Sequence, residues 1–169
     1  MENQKKEIIQ ISVRNLVEFI LRSGNLDNRR SFAADKEAML KGSKIHRKIQ
    51  KQMKASYRAE VPLGWDQEYD EFIIRVEGRA DGIIEEDGET VIDEIKGVYM
   101  DLAYLEEPVS VHKAQAMCYA YMYGKPLKKE EIQVQMTYCQ IETEEIRRFR
   151  DNFTLSYLEK WFEDLMAEY

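Results

Sequence analysis

Apolar and polar residues alternate along the middle of the chain, which is the pattern of β-strands that bury one face. Residues 60–65, 71–76, 78–84 and 90–97 follow this pattern. An acidic turn containing Asp87-Gly88 joins the last two segments, and an Asp-Gly pair in such a place is a strong signal for a β-hairpin. The pattern therefore predicts an antiparallel meander of three or four strands.

Apolar residues spaced three and four apart predict two helices before these strands. The first covers residues 13–22, with Ser12 as its N-cap and Gly24 as its C-terminal stop. The second follows a polar turn and covers residues 31–56. Its core side is formed by Ala38, Ile45, Ile49 and Met53.

The C-terminal half of the chain predicts a helix, two strands and a final helix. Residues 111–123 are apolar around almost the whole helical circumference, which indicates a buried helix, and Ser110 is its expected N-cap. Residues 131–141 alternate as a strand, and a hairpin partner follows. A last amphipathic helix then starts at Thr154 or Asp151.

The length and composition indicate one soluble domain over residues 1–169. No apolar segment approaches the roughly 20 residues of a membrane span, and the polar N-terminus lacks the apolar core of a signal peptide. Cys118 and Cys139 have the spacing of neither a disulfide framework nor a zinc or iron–sulfur site. We therefore expect a cytoplasmic location and no membrane partner.

The long predicted helix has a basic side, although the net charge of −7 argues against a general nucleic-acid binder. One interpretation is a solvated helix face, and the other is a surface that follows the phosphates of a nucleic acid. The second interpretation gains weight if this helix borders the acidic hairpin. The basic side consists of Lys41, Lys44, Arg47, Lys48, Lys51 and Lys54.

The hairpin carries residues with the chemistry of a metal-dependent phosphoester hydrolase. Glu94 and Lys96 emerge on the same face of their strand, and the partner strand can bring Asp81 across from them. Carboxylates hold Mg²⁺ together with phosphate oxygens and water, and the carbonyl of Ile95 is a further candidate ligand. A bound cation lowers the pKa of a coordinated water, which Lys96 would orient.

An aspartate followed at a distance by Glu-x-Lys also occurs by chance on acidic hairpins. In that case Glu94 and Lys96 form only a surface salt bridge, worth less than about 1 kcal/mol. Three features favour the metal site instead. They are the alternating hairpin itself, the glycines Gly78 and Gly82 beside the aspartate, and the following helix with Gln115 and Tyr119 on one face.

The chain resembles the PD-(D/E)xK nuclease superfamily in three motifs: Gly78-Arg79-Ala80-Asp81-Gly82, Asp93-Glu94-Ile95-Lys96 and Gln115-x-x-x-Tyr119. More narrowly, these motifs resemble the RecB-like exonuclease branch, which includes CRISPR adaptation nucleases and nuclease domains found beside DNA-repair helicases. The resemblance implies an α/β fold with a restriction-endonuclease-like core, in which helices flank a central mixed β-sheet.

The resemblance also implies roles for individual residues. His46, Asp81 and Glu94 would be metal ligands, with His46 matching a histidine of the upstream helix in this branch. Lys96 would be the catalytic lysine. Gln115 and Tyr119 would either support the metal site or contact the scissile phosphate and neighbouring DNA.

Two further residues, His112 and Asp93, lie near these motifs. His112 lies one helical turn before Gln115, and it is either a DNA contact or a helix-start residue that faces solvent. Strand alternation places Asp93 on the face away from Lys96, so that we expect it to be a salt-bridge partner rather than a ligand.

The activity implied by the resemblance is hydrolysis of DNA with Mg²⁺ or Mn²⁺, as an exonuclease in repair, recombination or defence. Single strands or duplex ends would be the substrate, with Tyr99 or Tyr104 stacking on bases. No iron–sulfur cluster is expected, because the four cysteines that hold one in many CRISPR adaptation nucleases are missing. A phosphate-binding GxxxxGK[ST] loop is missing too, so that unwinding would need a partner helicase.

Three alternatives remain open from the sequence. The chain is either a whole domain or a piece of a longer helicase-associated protein. It could be a DNA-binding or scaffolding domain of the same fold that does not cut. It could also be a metal-dependent hydrolase of small phosphoesters, which would not need the basic helix.

Overall fold

The computed structural model describes residues 5–21 and 32–169, with side chains described in the second range from residue 41 onward. In this part of the chain, six strands form one sheet and four α-helices accompany it. The strands are β1 Glu7–Ser12, β2 Tyr57–Glu68, β3 Phe72–Glu86, β4 Glu89–Val98, β5 Glu131–Gln140 and β6 Ile146–Thr154. The helices are α1 Val13–Leu21, α2 Phe32–Gln52, α3 Ser110–Gly124 and α4 Leu155–Glu168, with a 3-10 turn at Leu102–Tyr104.

The sheet is mixed, as predicted. Its main order is β1-β3-β4-β5-β6, and β2 pairs with the other edge of β3. The β2–β3, β3–β4 and β5–β6 pairs are antiparallel, whereas the β1–β3 and β4–β5 pairs are parallel. The predicted meander therefore corresponds to β2, β3 and β4, and the turn at Asp87-Gly88 has positive φ angles of 52° and 78°.

One edge of β3 changes its partner part-way along the strand. Pairing with β1 ends at Ser12 and Glu77, and pairing with β4 begins at Gly82 and Asp93. Residues 78–81 lie between these ladders and pair with neither strand on this edge. We call these four residues the strand junction.

Helices cover both faces of the sheet. Helix α3 is buried around most of its circumference and lies in the main core with Ile83 and Ile92. Helix α2 packs on the opposite face through Ile45 and Ile49, which contact Ile95. Ile92 and Ile95 point to opposite faces because their positions along β4 differ by three, and side chains alternate between the faces at each residue.

Two tyrosines fill the space beside two glycines of β3. A Cβ atom added at Gly78 would lie 2.5 Å from the Tyr119 hydroxyl of α3, and one added at Gly82 would lie 1.9 Å from the Tyr57 ring. These glycines are an even number of residues apart, yet Tyr119 belongs to the α3 side and Tyr57 bonds Asp93 on the other side. The alternation of the strands is therefore interrupted between them, where Glu60 of β2 has a φ of +53°.

Several predicted boundaries are confirmed and several are wrong. Ser12 caps α1 by accepting a hydrogen bond from the Asn15 amide at 3.0 Å, and Thr154 caps α4 in the same way through the Tyr157 amide at 3.2 Å. Ser110 is not the cap of α3, because Val109 takes that position and has no capping side-chain bond. Asp151 does not start a helix, since it lies within β6.

Strand β1 was not predicted, and β3 is one strand where two were expected. The β1 segment is short, and its Ile8 and Ile9 are exposed, so that it lacks the alternation of a half-buried strand. The predicted helix stop at Gly24, the polar turn and the start of the long helix at residue 31 lie outside the described residues. No helix of the described part of the chain has the length and apolarity needed to cross a bilayer.

The contact between Gly82 and Tyr57 gives a prediction about stability. Gly82→Ala is expected to destabilise the protein by about 1–3 kcal/mol, because the added methyl group overlaps the Tyr57 ring and displaces it from its hydrogen bond with Asp93. Gly42→Ala is the matched control, since nothing lies within 4 Å of its added Cβ in α2. That change should stabilise the protein by about 1 kcal/mol, the helix propensity difference. Urea unfolding measures both, and equal effects of the two substitutions would contradict the packing described.

Candidate metal centre

Asp81 ends the strand junction, and its carboxylate takes the place of the missing ladder bond. Asp81 is only 8% exposed, and its Oδ2 accepts a hydrogen bond of 2.7 Å from the backbone amide of Ile95. Its Oδ1 lies 3.3 Å from Nδ1 of His46, which reaches the site from α2. The side chain is thereby held between β4 on one side and α2 on the other.

Glu94 lies beside Asp81 on β4 and is almost completely buried. Its Oε1 lies 3.3 Å from Nζ of Lys96, while Oε2 is buried with no hydrogen-bond partner among the described residues. Burial, reinforced by the charge of Asp81, raises the pKa of Glu94 to about 8. A buried oxygen without a donor is costly for a protein, and a cation is one group that can satisfy it.

The neighbouring carboxylates favour the protonated form of His46. Burial by itself lowers the pKa of this imidazole, but the hydrogen bond to Asp81 and the charges of Asp81 and Glu94 together raise it above its ordinary value of 6.5. A divalent cation in the same place would supply the positive charge instead and leave the imidazole neutral, which is the form that coordinates metals.

Glu60 lies close to His46 and Asp81, although the sequence patterns did not indicate it, and we call these three residues the cluster. The ligand atoms of His46, Glu60 and Asp81 all lie within 4.8 Å of one another. Glu60 lies on β2 between the pairs Ala59–Gly82 and Val61–Ala80, which puts it opposite Asp81 in the register. A carboxylate in an exposed strand gave no signal for this position, because the contact depends on the β2–β3 pairing.

Helix α3 brings Tyr119 close to the two acids and buries both of its predicted site residues, whose roles stay a prediction. Gln115 and Tyr119 are both buried, 4% and 7% exposed. The Tyr119 hydroxyl forms a hydrogen bond with the backbone of Arg79. Burial raises the pKa of Tyr119, and the negative charges of Glu94 and Asp81 nearby add to the effect.

His112 is partly buried and bonded within the protein. Its Nδ1 lies 3.0 Å from the Tyr138 hydroxyl, which accepts a hydrogen bond from the Val109 amide at 2.9 Å. Burial, with the charges of Lys96 and Arg14, lowers the pKa of His112 to about 4. The expectation of a helix-start residue facing solvent is therefore wrong, and a contact with DNA stays a prediction.

Asp93 lies on the opposite face of the sheet, as strand alternation predicted, but it is not a salt-bridge partner. Its carboxylate accepts hydrogen bonds from Tyr57 at 2.8 Å, Gln135 at 3.1 Å and Thr137 at 2.5 Å. No lysine or arginine of the described chain pairs with it. Neutral donors therefore replace the expected cation, and burial raises the pKa of Asp93.

The basic side of α2 is exposed, as predicted for either interpretation of it. His46 and Gln50, one turn apart, face the cluster, and Arg47 and Lys51 follow each of them directly along the helix. Two cations of this side are engaged: Lys41 lies 5.7 Å from the centre of the Tyr99 ring, and Lys48 pairs with Glu144. Lys54 lies beyond the end of α2 and lines a cavity of about 400 Å³ beside Tyr57.

The family model of the PD-(D/E)xK nuclease superfamily matches residues 3–169 of the chain. The chain belongs to the PD-(D/E)xK nuclease superfamily. The crystal structure of SSO0001 is similar, with a TM-score of 0.61 and 20% sequence identity over 98% of this chain and 78% of that chain. At this identity the likeness concerns the fold, which is α/β and restriction-endonuclease-like. A search of curated proteins found no match.

Nucleases of this superfamily use divalent metals, and the residues present fit one. The buried oxygen of Glu94 without a donor and the convergence of His46, Glu60 and Asp81 give the oxygen-rich donor set that Mg²⁺ and Mn²⁺ take. Lys96 lies beside Glu94, with a quarter of its side chain exposed.

The raised pKa of Glu94 predicts how the stability of the metal-free protein depends on pH. Between its ordinary pKa of 4.5 and the raised value, the folded protein keeps a proton on Glu94 that the unfolded chain has lost. Stability therefore falls as the pH rises through this interval. The raised pKa of His46 acts in the same direction.

Urea unfolding in EDTA at about pH 5 and about pH 8 measures this dependence, and the fall should exceed about 1 kcal/mol, since one pKa unit corresponds to about 1.4 kcal/mol. Glu94→Gln removes the titrating group while it keeps the size and shape of the side chain, and should flatten the dependence. Parallel curves for the wild type and this variant would show that Glu94 is not the group responsible.

Proposed function

We propose that the protein is a divalent-metal-dependent deoxyribonuclease of the RecB-like exonuclease type. The observation that carries the proposal is the pair of carboxylates at the strand junction, where Asp81 is fixed by the Ile95 amide and Glu94 keeps a buried oxygen without a donor. Structural packing alone gives no reason to bury two acids beside each other. A site for a divalent cation gives one.

The proposed ligands are His46, Asp81, Glu94 and the backbone carbonyl of Ile95, and the proposed cation is Mg²⁺ or Mn²⁺. When bound, such a cation would polarise the scissile phosphate and make a coordinated water more acidic. Asp81 contributes rigidity, because its hydrogen bond to the Ile95 amide fixes its orientation. Glu94 contributes a second negative charge at short range.

Lys96 is the proposed catalytic lysine. Its ammonium group lies 3.3 Å from Oε1 of Glu94, so that the strand aims it at the same point as the two acids. From there it can orient the attacking water and stabilise the negative charge that develops on the phosphate oxygens. Gln115 and Tyr119 would close the site from the core side, with the Tyr119 hydroxyl as a neutral group that can donate a hydrogen bond.

DNA is the proposed substrate, as single strands or duplex ends. The basic side of α2 borders the site through Arg47 and Lys51, and can hold the phosphates that approach it. Beyond β4, Tyr99 and Tyr104 are 50% and 80% exposed. Exposed rings on a connection next to the site can stack on unpaired bases, and His112 would complete the DNA contacts.

The wider setting of the proposal is DNA repair, recombination or defence in the cytoplasm. A helicase that unwinds duplex DNA would be a natural partner, with this chain as a whole domain or as part of a longer protein. The competing function is a DNA-binding or scaffolding domain that does not cut. The complete set of Asp81, Glu94 and Lys96 favours the nuclease, since a binding domain has no use for a buried acid without a donor.

Cleavage of end-labelled DNA tests the proposal directly. With Mn²⁺ the wild type should degrade single-stranded or duplex DNA from its ends, and Glu94→Ala or Lys96→Ala should lower the rate about 100-fold or more, the scale expected for a catalytic group. Lys160→Ala is the control for a lost lysine, because Lys160 is 82% exposed on α4. Binding of DNA by the wild type without cleavage under any divalent cation would favour the non-cleaving alternative.

The role of α2 can be tested separately from the chemistry. A Lys44→Ala/Lys51→Ala variant should bind DNA more weakly and reduce the slope of log K against log salt by about 2, because each cation displaces about one counterion. Its cleavage rate at saturating DNA should stay near that of the wild type. The matched control is Lys5→Ala/Lys160→Ala, which removes two exposed cations outside α2. Equal losses in both double variants would assign the binding to net charge instead of to this helix.

A further inference from the structure

Glu60 lies at the most unusual backbone position of the site. Its φ of +53° is in the left-handed region, which residues with a Cβ rarely adopt. Glycine or asparagine would adopt this conformation at lower cost, so that the glutamate is kept against a local preference. Strained residues of this kind cluster at functional sites, where the rest of the structure holds them.

Gln50 of α2 holds the Glu60 carboxylate in place. Its side-chain amide donates to Oε1 of Glu60 at 3.0 Å and to the backbone oxygen of Asp81 at 2.9 Å. One amide thus joins the two opposing strands at the point where they have no ladder pair. The bond uses one oxygen of Glu60, which leaves the carboxylate able to coordinate a cation.

The ion pairs of the site do not include Glu60. Oδ1 of Asp81 lies 3.3 Å from Nδ1 of His46, and Oε1 of Glu94 lies 3.3 Å from Nζ of Lys96, whereas the hydrogen bond to Glu60 comes from the neutral amide of Gln50. The charge of Glu60 reaches the neighbouring residues, since it adds to the effect of burial and of Asp93 in raising the pKa of Tyr57. A divalent cation between His46, Glu60 and Asp81 would offset the repulsion between the Glu60 and Asp81 carboxylates.

We propose that Glu60 is a metal ligand of the centre, which together with His46 and Asp81 binds the cation on the β2 side. Glu94 lies next to Asp81 and keeps a buried oxygen without a donor among the described residues, which is a second feature that a nearby cation would satisfy. The inference rests on the proposed function for the identity of the cation and adds a ligand that the three motifs do not contain. Gln50 is the positioning residue that fixes the Glu60 carboxylate opposite Asp81.

The test is direct binding of Mn²⁺ to the purified chain, measured by the electron paramagnetic resonance signal of the free ion. Glu60→Gln keeps an oxygen that can accept the Gln50 bond, but it removes the charge. It should weaken Mn²⁺ binding at least about tenfold, the scale found when support of a metal site is lost. Glu86→Gln is the matched control, because Glu86 is exposed at the end of β3, about 17 Å along this strand from Asp81. It should bind Mn²⁺ as the wild type does.

A second variant separates a metal ligand from a structural carboxylate. Glu60→Gly relieves the left-handed backbone, so that in EDTA it should unfold at a urea concentration equal to or higher than the wild type does. It should nevertheless lose Mn²⁺ affinity and the thermal stabilisation by Mn²⁺. Loss of stability in EDTA together with unchanged affinity would mean that Glu60 serves only as a partner for Gln50, and would overturn the inference.

The outcomes also separate this inference from the proposed function. Wild-type levels of Mn²⁺ binding and DNA cleavage in Glu60→Gln would refute the role of Glu60 and leave the nuclease proposal intact. A wild type that binds Mn²⁺ with the expected dependence on Glu60 but does not cut DNA would support the ligand and refute the nuclease. A wild type that binds no Mn²⁺ would refute both.

Discussion

The hydrogen bond from the Ile95 amide to the Asp81 carboxylate determines where the site lies. Strand β3 exchanges one neighbour for another at residues 78–81, and a buried amide at such a break would be left without a partner. Asp81 supplies that partner at 2.7 Å. Because the bond ties β3 to β4 at this point, Glu94 and Lys96 on either side of Ile95 project beside the same aspartate.

The electrostatic cost of this arrangement is the second constraint. Two acidic side chains, Asp81 and Glu94, are buried beside each other, and one oxygen of Glu94 has no donor among the described residues. The protein reduces the cost in part with the imidazole of His46 and the ammonium of Lys96. The part of the cost that these groups do not offset lowers the stability of the metal-free fold. A bound cation would remove this cost, which favours its binding at the centre.

Local patterns predicted the parts of the site that depend on local geometry. Alternation along β4 is sufficient to place Glu94 and Lys96 on one face and Asp93 on the other, and the Asp-Gly turn fixes the hairpin that carries Asp81. The apolar circumference of α3 likewise predicted a buried helix with Gln115 and Tyr119. These are consequences of neighbouring residues, which the sequence contains directly.

The features that were missed depend on contacts between distant segments. The position of Glu60 follows from the β2–β3 register and from a backbone conformation that a glutamate does not signal. The partners of Asp93 come from β2 and β5, and these distant donors take the place of the cation that an isolated acid predicts. Strand β1 is short and two of its isoleucines, Ile8 and Ile9, are exposed, so that its pairing with β3 is what makes it a strand. The spatial role of Gly82 depends equally on Tyr57, which lies 25 residues earlier in the chain.

The central claim is that a divalent cation occupies the strand junction. Anomalous X-ray scattering from crystals of the protein grown with Mn²⁺ tests this most directly. The account predicts a strong anomalous peak within about 2.3 Å of an Asp81 carboxylate oxygen, with His46 and Glu94 among the other ligands. Well-ordered density for Asp81 and Glu94 with no peak between them, or with Mn²⁺ bound only at carboxylates elsewhere on the surface, would contradict it.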